Sequence, residues 1–513
     1  MTSDRARWVV LGTAAVVLVI HSLAYNFVTD DAYISFVFSR NLAEHGQLTF
    51  NLGQPVEGYT NFLWTVVLGA LMVVGISPEI SSRVLGTACA LATLYVVFRT
   101  MERALERRTV WACVPALLLA CSSGFACWTS GGLETQLFTL LVVVAIDGVV
   151  AGDLRRTAIA LALAAMTRPE GLIVAAVLGA VHLVVQRRIV RSDLVAAAWF
   201  LGIWAPWFAW RWWYYGWPFP NTYYVKASGP WANPAMAHEM WKHGGYYIWV
   251  WLKQTKLVYA LPLALVGLGW VKPKTPRFTL ALACGGLAAV YLVYAASVGG
   301  DFMGLHRFIM PVFVCAAIAV TLGLERIPYG RYAAPVVVLA FAITQLLLTR
   351  QSLDPKNLGA DEGVIDTPAF LIVYTEDRAA IGRAMESCFL PDDFSIVGGA
   401  GAQPYFGRMR GIDVFGLVSD RIAHEEPRIR ARAGHTKFGS DKLLAEYDPT
   451  FVFSCYAIHA TETPPPLPCN VAFWTQRGYE PITMKIPGMR QAGEYYTFLA
   501  KKARNFQCPG RVH

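Results

Sequence analysis

Long apolar runs separated by short polar segments dominate the first two thirds of the chain. The first run covers 8–27, follows Arg5 and Arg7, and is long enough to cross a bilayer. Because no small-residue cleavage pattern follows it, we expect a retained first span with its N-terminus inside the cell. Further runs lie at 80–98, 110–128, 133–150, 157–167, 171–186, 194–215, 246–268, 278–298, 308–324 and 332–349. This pattern predicts about eleven transmembrane helices within residues 1–349.

A shorter apolar run at 61–75 decides which loops face the cell interior. If it does not cross the membrane, the basic clusters fall inside together with the N-terminal pair; these clusters lie at 99–108, 155–156, 187–191, 272–277 and 326–331. The inner segments then hold sixteen Lys and Arg residues, against six on the outer segments. Cytoplasmic loops carry an excess of Lys and Arg, which favours this topology. We therefore expect 61–75 to lie in the interface or to re-enter the membrane.

The remaining residues, 350–513, have a different pattern. Their apolar pieces are short and alternate, as at 394–397 and 450–453, and a proline-rich stretch at 463–468 is typical of a surface loop. We expect a mixed α/β domain on the periplasmic side, which we call the tail. Its four cysteines form one or two disulfides if that compartment is oxidising, with the pairing left open; they are Cys388, Cys455, Cys469 and Cys508.

Composition and charge narrow the class of protein. Hydrophobic residues make up 55% of the chain and charged residues 15%, against about 25% charged in soluble domains, which argues against a soluble enzyme. The net charge of +9 lies entirely within residues 1–349, as expected for inner loops beside a lipid bilayer, so nucleic-acid binding is not indicated. No Walker loop, dinucleotide fingerprint or HExxH motif is present, and lipid-borne substrates fit better than cytosolic nucleotides.

Two adjacent carboxylates, Asp30 and Asp31, directly follow the first span. Neighbouring carboxylates at a membrane edge repel each other and are poorly solvated, which raises the pKa of at least one of them. A carboxylate tuned in this way can take a proton from a sugar hydroxyl. The alternative is structural, with Asp31 capping a helix that begins near Tyr33.

Other polar and aromatic side chains occupy the predicted outer ends of the spans and are candidates for substrate binding. They are Tyr33, Glu57, Tyr59, Asn61, Glu134, Arg168, Glu170, Asn221, Tyr223, Tyr224, Lys226, Asp301, His306 and Arg307. Lys226, His306 and Arg307 are the cations best placed to meet a lipid phosphate. Structural alternatives remain for each group: an interfacial helix anchored by aromatic rings, an Arg168–Glu170 paired turn, and cations that reach lipid headgroups.

Five short motifs carry a resemblance to a known family. They are DDAYISF at 30–36, EGYTNFLW at 57–64, TRPEG at 167–171, PNTYY at 220–224 and GGDFM at 299–303. Together they resemble the bacterial C-type (GT-C) glycosyltransferases. Within that class the chain is most similar to the terminal arabinofuranosyltransferases of mycobacterial and corynebacterial cell walls.

The resemblance implies a fold, a reaction and a catalytic group. It implies interfacial helices in the first outer loop at 29–79, a soluble domain outside the membrane, and a carboxylate base at Asp30 or Asp31. It also implies β-1,2 transfer of arabinofuranose from decaprenyl-phosphoryl-arabinofuranose to a polysaccharide, the arabinan of arabinogalactan or lipoarabinomannan. The tail is shorter than expected for an arabinosyl enzyme, which leaves the acceptor open.

These observations combine into a mechanism and its alternatives. We expect Asp30 to deprotonate the acceptor hydroxyl and Asp31 to orient it or share that role. Transfer then inverts the anomeric carbon and needs no cofactor, although Asp30, Asp31 and Asp301 could gather around a divalent cation. The alternatives are a GT-C enzyme for another sugar such as mannose, and a polyprenyl-lipid carrier. Carriers place ionisable residues near the bilayer midplane and show paired halves, neither of which the sequence has.

Overall fold

The computed structural model describes residues 3–227, 234–269, 271–356, 358, 360–361, 365–429 and 434–512. Most of the first 352 residues are helical, and each predicted span falls on a helix or on a pair of consecutive helices. The helices are α1 (Ser3–Tyr25), α2 (Asp30–His45), α3 (Phe62–Val73), α4 (Pro78–Leu105), α5 (Val114–Cys121), α6 (Ser123–Ser130), α7 (Thr135–Ala151), α8 (Leu154–Thr167), α9 (Gly171–Gln186), α10 (Arg191–Tyr215), α11 (Pro234–Gln254), α12 (Leu257–Leu268), α13 (Pro276–Ser297), α14 (Met310–Arg326) and α15 (Gly330–Ser352).

Several of these helices are long and apolar enough to cross a bilayer alone. Within the described ranges there are six: α1, α4, α10, α13, α14 with the turn before it, and α15. The pair α5 and α6, bent by 65° at its junction, makes a seventh if it is taken as one span. The helices α3, α7, α9 and α12 are apolar but shorter. The chain is therefore a polytopic α-helical membrane protein.

Ion pairs join the predicted inner segments to one another at one end of the helical bundle. Arg7 at the start of α1 pairs with Glu102 near the end of α4, and Arg103 pairs with Asp147 near the end of α7. Glu325, near the end of α14, pairs with Arg277 of α13 and Arg107 after α4, at 2.8 and 2.7 Å. The basic clusters thus share the end of the bundle opposite the tail, which we call the basic end. The other end, which contacts the tail, is called the tail end.

The first loop at the tail end carries two helices that pack on each other. The Ser39 hydroxyl of α2 donates to the Thr65 carbonyl of α3 at 2.8 Å. At about 1.5 Å per residue, the 12 residues of α3 extend about 18 Å, too short for a hydrocarbon core of about 30 Å. Since α8, which lies on a predicted span, has only 14 residues, helix length does not decide the topology, and the interfacial placement of 61–75 stays a prediction.

The start of α2 differs from the capping alternative. The helix begins at Asp30, three residues before Tyr33, and its N-cap is Thr29, whose side chain makes no capping hydrogen bond. Asp31 therefore lies within the first turn and does not cap it. The interpretation of Asp31 as an N-cap is wrong, because the extended backbone ends one residue before the aspartate pair.

The tail is a mixed α/β domain, as predicted. The elements are β1 (Ala360–Asp361), β2 (Ile365–Asp366), α16 (Pro368–Met385), β3 (Ser395–Val397), α17 (Ala402–Phe406), β4 (Gly411–Asp413), α18 (Asp420–Glu425), α19 (Asp441–Ala445), β5 (Phe451–His459), α20 (Val471–Thr475), β6 (Tyr479–Lys485) and β7 (Tyr495–Lys501). The five-stranded sheet has the order β4-β3-β5-β7-β6, with β3 parallel to β4 and β5, and β7 antiparallel to β5 and β6.

Two disulfides join the four tail cysteines, Cys388 to Cys508 and Cys455 to Cys469. The predicted strands at 394–397 and 450–453 correspond to β3 and the start of β5. The proline-rich stretch at 463–468 is an irregular, mostly exposed segment, as predicted. These features make the tail a separately cross-linked domain.

The tail rests directly on the first loop. Arg40 of α2 donates to the Tyr405 carbonyl of α17 at 2.7 Å. The Asn51 amide donates to the Gly411 carbonyl of β4 at 2.9 Å, and the Gly411 amide donates back to the Asn51 oxygen at 3.0 Å. Because these contacts involve buried backbone groups, they fix the tail over the tail end of the bundle.

Candidate active site

A cleft of about 220 Å³ opens at the tail end of the bundle, between the first loop, the loops after α10 and α13, and the tail. Ten of the sixteen predicted site residues line it. They are Asp31, Tyr59, Asn61, Glu134, Arg168, Glu170, Tyr223, Lys226, Asp301 and Arg307. The cleft therefore combines residues from segments that are distant in sequence, and both acids and cations face it.

Asp31 is the carboxylate with the most open access to the cleft. Its side chain is 27% exposed, and its Oδ2 lies 3.9 Å from the Arg307 Nη2. Burial raises the pKa of Asp31, while the charges of Lys226 and Arg307 oppose that rise. A raised pKa makes this carboxylate a better proton acceptor than an ordinary aspartate.

Arg307 is held rigidly against the cleft. Its Nε donates to the Asp301 Oδ2 at 2.7 Å, and its guanidinium lies 5.7 Å from the ring centre of Trp128. The turn before Asp301 is built from glycine: Gly300 has φ 73°, and a Cβ there would lie 2.6 Å from the Tyr247 ring. Only glycine satisfies both the backbone angle and the close approach, which explains the GGDFM motif.

Arg168 joins two acids in the wall of the cleft. Its Nη1 donates to Glu134 Oε1 at 2.8 Å, and its Nε donates to Glu170 Oε2 at 3.1 Å. The second oxygen of Glu134 accepts from the Asn61 amide at 2.8 Å. The paired turn and the polar wall predicted as alternatives therefore coexist. Since both Glu134 oxygens are occupied, this acid is less available than Asp31 to accept a proton.

Asp30 lies outside the set that lines the cleft. Its Oδ1 accepts a hydrogen bond from the Ala402 amide of the tail at 2.8 Å. A Cβ on Gly401 would lie 2.3 Å from the Asp30 Oδ2, so the glycine permits this contact. Burial raises the pKa of Asp30 to about 6, with a further rise from Asp31 and opposing effects from the Ala402 amide and Arg378. The structure thus gives the two aspartates different surroundings.

Five other predicted residues also lie outside the cleft lining, and each contacts other parts of the protein. Tyr33 packs on the rings of Tyr405 and Phe406, and Tyr224 packs against His424. Glu57 pairs with Arg211, and the Asn221 side chain donates to the Leu417 carbonyl. The buried His306 forms a hydrogen bond with Gln254. Glu57 and Asn221 still shape the cleft indirectly, because the backbone N–H of Asn221 donates to the backbone carbonyl of Glu57 at 3.0 Å.

The structure adds lining residues that the sequence analysis missed. Gly58 and Thr60 belong to the EGYTNFLW motif at 57–64. The close approach of Leu417 explains the glycine at position 58, because a Cβ there would lie 2.8 Å from the Leu417 carbonyl oxygen. Leu417 and Gly434 come from the tail. No local pattern marked them, since their role depends on how the tail docks.

The described residues hold no group of three or more His, Cys, Asp and Glu side chains arranged to bind a metal ion. Asp301 is instead committed to Arg307, at 2.7 Å. Asp30 is separated from Asp31 and Asp301 by its contact with the tail.

Comparisons with known proteins show that the chain has a known fold. ArnT from Cupriavidus metallidurans in the apo state aligns with a TM-score of 0.56 and 13% identity, over 98% of this chain and 99% of ArnT. The chain shares the fold of ArnT. A second ArnT structure, bound to undecaprenyl phosphate, aligns with a TM-score of 0.53 and 16% identity, over 80% of this chain and 86% of ArnT. This likeness confirms the predicted fold, a helical membrane body with a C-terminal soluble domain.

The arabinofuranosyltransferase AftD from mycobacteria aligns less well, with a TM-score of 0.39 and 15% identity, over 76% of this chain and 30% of AftD. No protein-family model matches the sequence, and no curated protein matches it.

Proposed function

We propose that the protein is a membrane glycosyltransferase that moves a sugar from a polyprenyl-phosphate donor to a glycan acceptor. One observation carries the proposal: the Asp31 carboxylate and the Arg307 guanidinium face the same cleft, 3.9 Å apart, at the tail end of the bundle. A base beside a fixed cation is what such a transfer needs. The fold shared with ArnT, one structure of which holds undecaprenyl phosphate, supports a lipid-phosphate donor.

The chemistry requires one base and a site for the leaving phosphate. Asp31 takes the proton of the acceptor hydroxyl, and the acceptor oxygen forms a bond to the anomeric carbon. The bond from that carbon to the phosphate oxygen breaks, and its electron pair leaves with the phosphate. Arg307 and Lys226 stabilise the developing negative charge, so no second acid is required and the anomeric carbon inverts.

This assignment differs in two respects from the sequence-based mechanism, which had Asp30 deprotonate the acceptor hydroxyl and counted His306 among the phosphate-binding cations. The hydrogen bond from Ala402 to Asp30 and the open position of Asp31 favour Asp31 as the base. Asp30 then holds the first turn of α2 in place. The three cations predicted for the phosphate reduce to two, because His306 is buried against Gln254.

The sugar and the compartment belong to the same proposal. Motif resemblance favours arabinofuranose from decaprenyl-phosphoryl-arabinofuranose and an arabinan acceptor, with mannose as the second candidate sugar. Two disulfides in the tail and basic clusters at the opposite end support a plasma-membrane protein whose cleft and tail face the periplasm. A carrier function is less favoured, because the cleft lies at one end of the bundle.

The test incubates the purified full chain with radiolabelled polyprenyl-phosphate sugars and a synthetic arabinan acceptor. We expect Asp31→Asn to lower the transfer rate at least 100-fold, since a general base contributes about 10²–10⁴-fold. Glu44→Gln, on the same helix but 38% exposed and paired with Arg408, is the matched control and should transfer at the wild-type rate.

Two results would contradict the proposal. If Asp31→Asn transfers sugar as fast as wild type, the base is wrongly assigned. If no lipid-linked sugar is consumed by wild type, the reaction itself is wrong.

A parallel reaction in excess chelator should run at the untreated rate, because the proposed step uses no metal. Loss of activity that Mg²⁺ or Mn²⁺ restores would require a metal in the mechanism.

A further inference from the structure

A continuous row of aromatic rings leads away from the cleft along the loop after α10 and includes one residue of the tail. Phe219 and Tyr223 line the cleft, with ring centres 4.5 Å apart, and Tyr224 follows at 5.4 Å from Tyr223. The row continues to His424 of α18, 4.2 Å from Tyr224, and ends at Trp217, which stacks on His424 at 3.7 Å. We call these five side chains the aromatic row. It connects the loop after α10 to the soluble domain.

Three of the five rings are exposed. The exposed fractions are 39% for Trp217, 44% for Phe219 and 39% for Tyr223. Contiguous exposed apolar surface of this kind is typical of binding sites. Rings left free to move would collapse onto each other or into the core, so their exposure needs a rigid backbone.

The backbone that carries the row is fixed by buried groups. Arg211 of α10 donates through both terminal nitrogens to the Pro218 carbonyl, at 2.9 and 2.8 Å. Three residues further on, the Asn221 side chain donates to the Leu417 carbonyl of the tail. The rings are thus held in place before any ligand arrives, which reduces the entropy cost of binding.

We propose that the aromatic row is the acceptor subsite, on which consecutive sugar rings of a neutral glycan stack as the chain end enters the cleft. This inference rests on the proposed glycosyl transfer and identifies where its acceptor binds. The C–H face of a sugar ring is apolar and packs on an aromatic ring, while its hydroxyl edge remains free for hydrogen bonds.

Unpartnered polar atoms lie beside the rings. Among the described residues, Asp420 Oδ1, His424 Nε2 and Thr222 Oγ1 are buried without a hydrogen-bond partner. Leaving such atoms unsatisfied costs free energy that a ligand hydroxyl can recover after a small side-chain rotation. The row therefore offers both parts of a sugar site, stacking faces and polar edges.

The charge distribution separates this subsite from the donor site. The cations Arg168 and Arg307 lie in the wall and floor of the cleft, where a phosphate would be bound, whereas the charged group with an unpartnered atom beside the row is the carboxylate of Asp420. Burial also lowers the pKa of His424, which keeps its imidazole neutral. A neutral glycan suits these rings better than a phosphate-bearing donor. Stacking of Trp217 on the tail residue His424 also argues against a role as a lipid-headgroup anchor.

The experiment uses the purified full chain, a lipid-linked sugar donor and neutral oligosaccharides of increasing length, including oligoarabinofuranosides and oligomannosides. Trp217→Ala and Phe219→Ala should each raise the acceptor KM about tenfold, in line with loss of an aromatic anchor, while the donor KM changes less than about twofold. Direct calorimetric binding of the longest oligosaccharide should weaken by the same factor. Trp213→Ala, a ring on α10 that is 79% exposed and outside the row, should behave as wild type.

Every other outcome would overturn either the acceptor subsite or the proposed reaction. Equal changes in donor and acceptor KM, or the same loss in Trp213→Ala, would overturn the acceptor subsite and indicate a role in folding or membrane contact. Wild-type transfer with no dependence on the row would overturn it as well. If no sugar is transferred but oligosaccharide binding weakens in the Trp217 and Phe219 variants, the subsite stands and the proposed reaction fails.

Discussion

Asp30 and Asp31 show how far neighbouring residues can differ in role. Consecutive positions on a helix point about 100° apart, so the first turn of α2 directs one carboxylate to the tail and the other to the cleft. Asp30 accepts from the Ala402 amide, whereas Asp31 faces Arg307. The pair could be identified from sequence as a candidate for proton transfer. The assignment of each member was not, because it depends on the rotation of α2 against residues about 370 positions away.

The raised pKa of Asp30 makes a pH-dependent prediction. Its pKa is about 6 in the folded protein against an ordinary 3.8, so the folded state binds this proton more tightly. The contribution of Asp30 to stability therefore falls as the pH rises from about 4 to about 6, and the loss persists above that range. The side chain in Asp30→Asn does not titrate, so this variant does not lose stability over that pH range. We expect its melting temperature, relative to wild type, to be higher at pH 8 than at pH 4.5.

The activity of the Asp30 variants provides the control. Asn can still accept from the Ala402 amide, so Asp30→Asn should transfer sugar within a few-fold of wild type. Asp30→Ala leaves that buried amide without a partner and should be destabilised by about 1–3 kcal/mol. An Asp30→Asn variant as inactive as Asp31→Asn would contradict the division of roles between the two aspartates.

At the scale of elements, the buried pair of Glu57 and Arg211 joins the first loop to α10. The Arg211 Nε donates to Glu57 at 3.1 Å, and the two side chains are 3% and 5% exposed. The same arginine anchors the Pro218 carbonyl. This pair therefore positions two walls of the cleft. The sequence identified Glu57 as a candidate, but it contained no signal for its partner within a span.

Removing both members of this pair should cost less than the sum of the two single losses. Glu57→Gln or Arg211→Met leaves a buried charge unpaired and should cost about 3–5 kcal/mol, whereas the double variant should cost less than the sum of the two. Thermal unfolding in detergent measures the three values. As a control, Lys242→Ala breaks an exposed pair with Glu239 and should cost at most about 1 kcal/mol. Additive losses would show that the two side chains act independently.

At the scale of the whole molecule, the orientation of the tail is open to a direct test. Glu425, which is 58% exposed in the tail, and Arg188, which is exposed at the basic end, provide two positions for a single new cysteine. If the tail faces the periplasm, a membrane-impermeant maleimide should label Glu425→Cys on intact cells and Arg188→Cys only after lysis.

The wild-type chain is the background control for this labelling. Four of its cysteines are in disulfides and the other six are buried or half-buried, so it should react weakly. The opposite pattern of labelling would place the tail in the cytoplasm. The positive-inside argument and the compartment proposed for the reaction would then both be wrong.

The residue pattern by itself determined the membrane class, the helical spans, the separate α/β tail and most of the polar groups at the tail end. These follow from local physics: apolar runs must satisfy their backbone hydrogen bonds as helices in lipid, and basic loops stay on one side. Only the tertiary structure decided which polar groups share the cleft. Their positions depend on long-range packing, as with Leu417 against Gly58 and Ala402 against Asp30, and no local pattern encodes such contacts.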